Sequence, residues 1–142
     1  MKSPVGLALL ALTLICCTPA RAEQVVHVGA YDVHYVVIGT TFLSAAVARQ
    51  YDIAHASDLA LVNISVLLHG QPVAARIQGR ARDLLDRSVD LPFREIKERT
   101  SVYYIASLRF SEQEHWRFEL KVTPVGATDA LDVRFEQKIY VE

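Results

Sequence analysis

The stretch Asp58–Gly70, DLALVNISVLLHG, constrains the fold more than any other part of the chain. Leu59, Leu61, Val62, Ile64, Val66, Leu67 and Leu68 leave neither face of it polar enough to meet water. Such a run, rich in β-branched residues and closed by Gly70 and Pro72, predicts a strand in the middle of a sheet with both faces covered. Asn63 and Ser65 are two apart, so they share one face with Leu61 and Leu67.

The residues ahead of this strand predict export. Lys2 supplies a positive start, Val5–Cys17 is continuously apolar or small, and Ala20-Arg21-Ala22 has the small-x-small form of a cleavage site. Residues 1–22 are therefore expected to be a signal peptide and 23–142 a single domain. The apolar core is shorter than the roughly 20 residues of a membrane-spanning helix. A lipid anchor fits less well, because neither Cys16 nor Cys17 follows a small residue. Both cysteines of the chain lie in this segment. The exported domain is then free of disulfides and must be held by its core. Loss of Lys2 and Arg21 leaves 13 basic against 16 acidic residues. That balance gives no reason to expect nucleic acid as a partner, and no later run is long enough to span a membrane.

Alternation dominates the rest. Gln24–Val28 and Tyr31–Ile38 are strand-like around a bend at Gly29-Ala30. Val73–Ala81, Ser101–Phe110, Trp116–Val122 and Leu131–Val141 each alternate apolar with polar residues. Val89, Leu91 and Phe93 predict one further strand, distorted and at an edge because Pro92 cannot donate to a ladder. Ser44–Tyr51 is the single helical stretch, with Ser44 as its cap. Leu84–Arg87 and Ser111–Glu114 read as turns. Seven or eight short strands, most with one apolar and one charged face, predict an all-β fold. The first choice is an immunoglobulin-like antiparallel β-sandwich with one short helix, and a small β-barrel is the alternative.

Four groups of residues are candidates for function. His34, Asn63, Ser65 and Tyr103 are polar groups on otherwise apolar strands. They either line a ligand pocket or bond one another and fix register. Arg76, Arg80 and Arg82 project at period two from one strand face, with Arg87 nearby. They form either a landing surface for an anionic partner, such as a lipid head group, or a solvated face paired with neighbouring acids. The histidines at 27, 34, 55, 69 and 115 lack ligand-like spacing, so no metal site and no cofactor is expected. Trp116 falls on an apolar face with Phe118 and Leu120, which predicts a core residue. No nucleophile elbow, phosphate loop or His-Glu-x-x-His motif is present.

Several short stretches resemble a family of exported bacterial proteins, the domain of unknown function numbered 4426. They are Gly29-x-Tyr31-x-Val33-His34-Tyr35, Thr41-Phe42-Leu43 with Val47-Ala48, and Ala60-Leu61-Val62-Asn63-Ile64-Ser65-Val66. Tyr103-Tyr104-Ile105 and Phe135-Glu136-Gln137-x-x-Tyr140 complete the set. The resemblance implies a Gram-negative periplasmic setting and an immunoglobulin-like fold, and it implies no activity or catalytic residue. The reading that follows is a non-enzymatic periplasmic binding or protein-interaction module. Its partner would be a protein or an anionic envelope component, and an open sheet edge offers a second copy a place to pair. The alternatives are a small-molecule or metal carrier using the polar pocket and, more remotely, a hydrolase with a site of another kind.

Overall fold

The computed structural model of the protein describes residues 24–111 and 114–140. The expected signal segment, with Cys16 and Cys17, lies outside these described residues, as does the middle of the Ser111–Glu114 turn. Ten strands form two antiparallel sheets. Sheet A contains β1 (Val25–Val28), β2 (Tyr31–Gly39), β3 (Leu59–Leu68), β8 (Ser101–Arg109) and β7 (Arg94–Glu98), in that order. The two-residue β4 (Gln71–Pro72) pairs with the end of β3. Sheet B contains β10 (Leu131–Ile139), β9 (Glu114–Pro124), β5 (Ala75–Asp83) and β6 (Ser88–Leu91), in that order. The architecture is an all-β sandwich rather than a closed barrel.

β3 takes the interior position its sequence predicts, between β2 and β8. Its inward residues Ala60, Val62, Ile64 and Val66 are at most 1% exposed. The two-residue turn after it is His69-Gly70, with φ of 49° and 77°. Positive φ at both positions matches the right-handed twist of a tight hairpin, and glycine reaches it without steric cost.

The core is the layer between the sheets. Val33, Val62, Ile64 and Leu108 of sheet A face Trp116, Phe118, Val122 and Val133 of sheet B. Trp116 is 3% exposed, in the core as expected. Tyr35 of β2 stacks on Phe135 of β10 with ring centroids 3.9 Å apart, and Phe135 stacks on Phe118 at 4.8 Å. Each fully buried large side chain contributes about 1.5–3 kcal/mol from loss of apolar contact with water. Tyr104 adds a polar pin between the layers. Its hydroxyl accepts from the Ala75 amide at 2.7 Å and donates to Glu95 Oε2 at 2.9 Å. Burial pushes the Tyr104 phenol up, and the hydrogen bond from Tyr104 holds the Glu95 carboxyl below its usual range.

The region around Pro92 differs from the expectation of one distorted strand. β6 ends at Leu91 and pairs with β5 in sheet B. β7 begins at Arg94 and pairs with β8 in sheet A. Pro92 has no amide hydrogen to continue the first ladder, and the Phe93 amide turns back to the Leu91 carbonyl at 3.0 Å. The chain crosses between sheets at this corner.

The turn after β5 is held by a buried carboxylate. Asp83 is 3% exposed, and its Oδ1 accepts from the amides of Leu85 and Arg87, each at 2.9 Å. Its Oδ2 pairs with the Arg87 guanidinium. Burial pushes this carboxyl up, but the bonds from Arg87 and Leu85 outweigh it and leave the group below its ordinary value.

Candidate functional site

The outer face of sheet A explains why β3 is apolar on both sides. The connection from β2 to β3 does not leave the sheet but folds back across it. It begins with a single 3-10 turn at Thr40–Phe42 and continues into helix α1 (Ala45–Gln50). Ser44 caps α1, accepting from the Val47 amide at 3.2 Å, as the sequence predicts.

Three contacts tie this connection down. Thr40 is fully buried, and its hydroxyl both donates to the Ala56 carbonyl at 2.9 Å and accepts from the Ala56 amide at 3.0 Å. Arg94 of edge strand β7 donates to the carbonyls of Tyr51 and Asp52. The Tyr51 hydroxyl donates to Glu98, also on β7. The buried threonine thus ties the two ends of the connection together, and the sheet edge holds it where α1 ends.

Between the connection and the sheet lies a cavity of about 340 Å³. That volume is within the range of small-molecule sites. Leu43, Val47 and Ile53 line it from the connection, and Ile38, Leu61 and Ile105 from the sheet. Its polar groups are few: Asn63, Tyr51, Tyr103 and Glu98. Asn63 Oδ1 is buried and has no hydrogen-bond partner. A buried carbonyl oxygen without a donor costs about 1–3 kcal/mol. Among the described residues, no histidine, serine, cysteine, lysine or arginine lines the cavity.

The residues predicted to act together are divided by the structure. All four of His34, Asn63, Ser65 and Tyr103 fall on the outer face of sheet A, by strand parity and register. Only Asn63 and Tyr103 line the cavity. His34 and Ser65 form a directly opposed cross-strand pair one row further along. Glu98 and Tyr51 were not among the predicted residues. Tyr51 closes the helical stretch, but nothing in the sequence around Glu98 shows that its strand edge meets that helix.

Arg76, Arg80 and Arg82 share the outer face of sheet B, across the sandwich from the cavity. Arg80 lies 3.5 Å from Asp90 of β6, and its other cross-strand neighbour is Glu119. Arg82 stands opposite Arg117, with Asp86 at 4.0 Å. The Arg82 Nε is buried without an acceptor. Much of this stripe is a solvated face of alternating charge, and the Arg82–Arg117 row departs from that alternation.

A larger crevice of about 700 Å³ opens at one end of the sandwich, beside Trp116, Phe110 and Tyr140. Its charged groups are engaged with one another. Arg109 pairs with Asp58, Arg87 with Glu114 at 3.2 Å, and the Trp116 indole donates to Glu114 at 3.1 Å. The smaller cavity is the stronger candidate because its lining is mostly aliphatic with a few polar groups.

Among the described residues no three His, Cys, Asp or Glu side chains converge as a metal-binding group. No helix among them is long and apolar enough to cross a membrane.

Solved structures share this fold. A DUF4426 family protein from Pseudomonas aeruginosa PAO1 is 31% identical with a TM-score of 0.76, covering 84% of this chain and 96% of that one. A copper-bound variant of FetP from uropathogenic Escherichia coli is 11% identical with a TM-score of 0.64, covering 85% and 97%. A copper-bound variant of P19 from Campylobacter jejuni is 7% identical with a TM-score of 0.50, covering 82% and 94%. At such low identity the two copper proteins show a common fold and nothing about this chain's donors. No curated protein matches the chain. Residues 25–142 match the family described as domain of unknown function DUF4426, and the chain belongs to that family.

Proposed function

We propose that this protein is a non-catalytic binding module of the periplasm, and that its ligand site is the cavity beneath the β2–β3 connection. One observation carries the reading: a cavity of small-molecule size has a mostly aliphatic lining with only Asn63, Tyr51, Tyr103 and Glu98 as polar groups. A ligand with an apolar body and one polar group fits that lining. The lack of any serine, cysteine or histidine in the lining supports binding over catalysis. The signal-like residues 1–22 support export.

A copper-carrier role, suggested by the fold shared with copper-bound FetP and P19, has less support. The described residues bring together no histidine or carboxylate set of the kind that holds copper.

The test is amide chemical-shift mapping on the 23–142 domain titrated with 2-phenylethanol, a neutral probe of the stated chemistry. Saturable shifts at Asn63, Tyr103 and Val47, lost in Asn63→Leu, are expected. Shifts confined to other surfaces, or unchanged in Asn63→Leu, would overturn the reading.

A second reading concerns the opposite face. The like-charged cross-strand pair Arg82–Arg117 favours contact with an anionic envelope component. Salt-sensitive binding to phosphatidylglycerol vesicles, weakened by Arg82→Gln, is the expected result. Equal binding to neutral vesicles would exclude it.

A further inference from the structure

The cavity's polar groups are unbalanced in a way that selects among ligands. Its lining has one ionisable side chain of fixed sign, the carboxylate of Glu98, and no cation. Asn63 is the one amide side chain in the lining. Tyr51 and Tyr103 add two aromatic rings. The cation nearest in the hydrogen-bond network is Arg94, and it is spent on the Tyr51 and Asp52 carbonyls outside the lining. The Tyr51 hydroxyl donates to one Glu98 oxygen, Oε1, which fixes the carboxylate at the rim and leaves further lone pairs for a second donor.

From this we infer that the ligand is a small apolar ammonium compound, its hydrocarbon part among the aliphatic side chains and its charged nitrogen directed to acceptors. This inference rests on the cavity being the binding site. A carboxylate attracts a cation, and an apolar wall lowers the local dielectric and strengthens that attraction. The same set repels an anion, since a carboxylate ligand would meet Glu98 with no counter-charge. A neutral alcohol can donate to Glu98 but brings no charge to pair with it. A hydrogen bond charged on both sides is stronger than one charged on one side only, which predicts a preference for ammonium over alcohol of about tenfold. Glu98 lies at the exposed rim, so high salt should reduce the preference.

The experiment compares three probes of nearly equal shape on the 23–142 domain: 2-phenylethylamine, 2-phenylethanol and 3-phenylpropionate. Dissociation constants are read from the chemical shifts of cavity residues at neutral pH. The expected order is ammonium about tenfold tighter than alcohol, with the carboxylate weakest. Glu98→Gln keeps an oxygen to accept from Tyr51. It should bring the ammonium to the level of the alcohol and leave alcohol binding unchanged. Alcohol binding equal to or tighter than the ammonium would overturn this inference while leaving the cavity as the ligand site. So would an ammonium preference that survives Glu98→Gln. If none of the three shifts cavity residues, the proposed site falls and the inference with it.

Discussion

Asn63→Leu should make the protein more stable. Most core or partly buried substitutions destabilise, so the sign of this one is informative. Asn63 sits on the interior strand β3, opposite Val36 on one side and Ile105 on the other. Leucine keeps the branching of asparagine at Cγ, is larger, and suits these aliphatic neighbours. The change removes a buried oxygen without a partner, which relieves about 1–3 kcal/mol. Ordering a leucine side chain offsets part of this, at about 0.5–1 kcal/mol. The net expectation is a gain of about 0–2.5 kcal/mol. For a domain of this size each kcal/mol moves the melting midpoint by about 3–6 °C. Urea unfolding and calorimetry of the 23–142 domain measure both quantities. The same variant should lose binding of 2-phenylethanol, so stability and binding move in opposite directions. A loss of more than about 1 kcal/mol would refute the reasoning. It would mean that the Asn63 amide is satisfied in the native state.

Three further outcomes test other parts of the fold. Trp116→Ala should cost about 3–5 kcal/mol in chemical unfolding, because the ring is 3% exposed between the sheets. In Gly79→Ala the new methyl would lie 2.4 Å from Leu120 Cδ2 and 3.0 Å from Phe93 Cε2. Leu120 is 2% exposed and has little room to turn, so a loss of about 1–3 kcal/mol is expected in the same assay. Asp83 gives a pH dependence. Its folded carboxyl lies below the ordinary 3.8, so near and below that pH the unfolded chain binds more protons. The stability it contributes is therefore complete above about pH 4 and is lost as pH falls through the folded value. Asp83→Asn should be less stable than the parent at neutral pH, and the gap should narrow in acid; a constant gap would show that the carboxylate's charge is immaterial.

The sequence carried much of this architecture because side-chain periodicity is a local property. Apolar residues on both faces of Asp58–Gly70 require cover on two sides, and the structure supplies sheet B on one and the α1 connection on the other. Ser44 marked the start of α1 because its hydroxyl satisfies an amide three residues on. Alternation in Trp116–Val122 and Leu131–Val141 assigned the inward residues Phe118 and Phe135. Pro92 signalled a break, but the destination of the next strand depends on which ladder has a free edge, and that is not a local property.

Residue types and parity along the chain, set by steric alternation of the backbone, determined the sandwich, its core-facing residues and the shared face of Asn63 and Tyr103. Only the tertiary structure decided which of the polar candidates share a space. Asn63 and Tyr103 meet under α1 because β3 and β8 are neighbours, whereas Ser65 and His34 on the same face fall outside. Glu98 joins them because Tyr51 reaches the edge strand β7. Strand order and the path of a connection arise from long-range packing of the whole chain, and no window of sequence contains them.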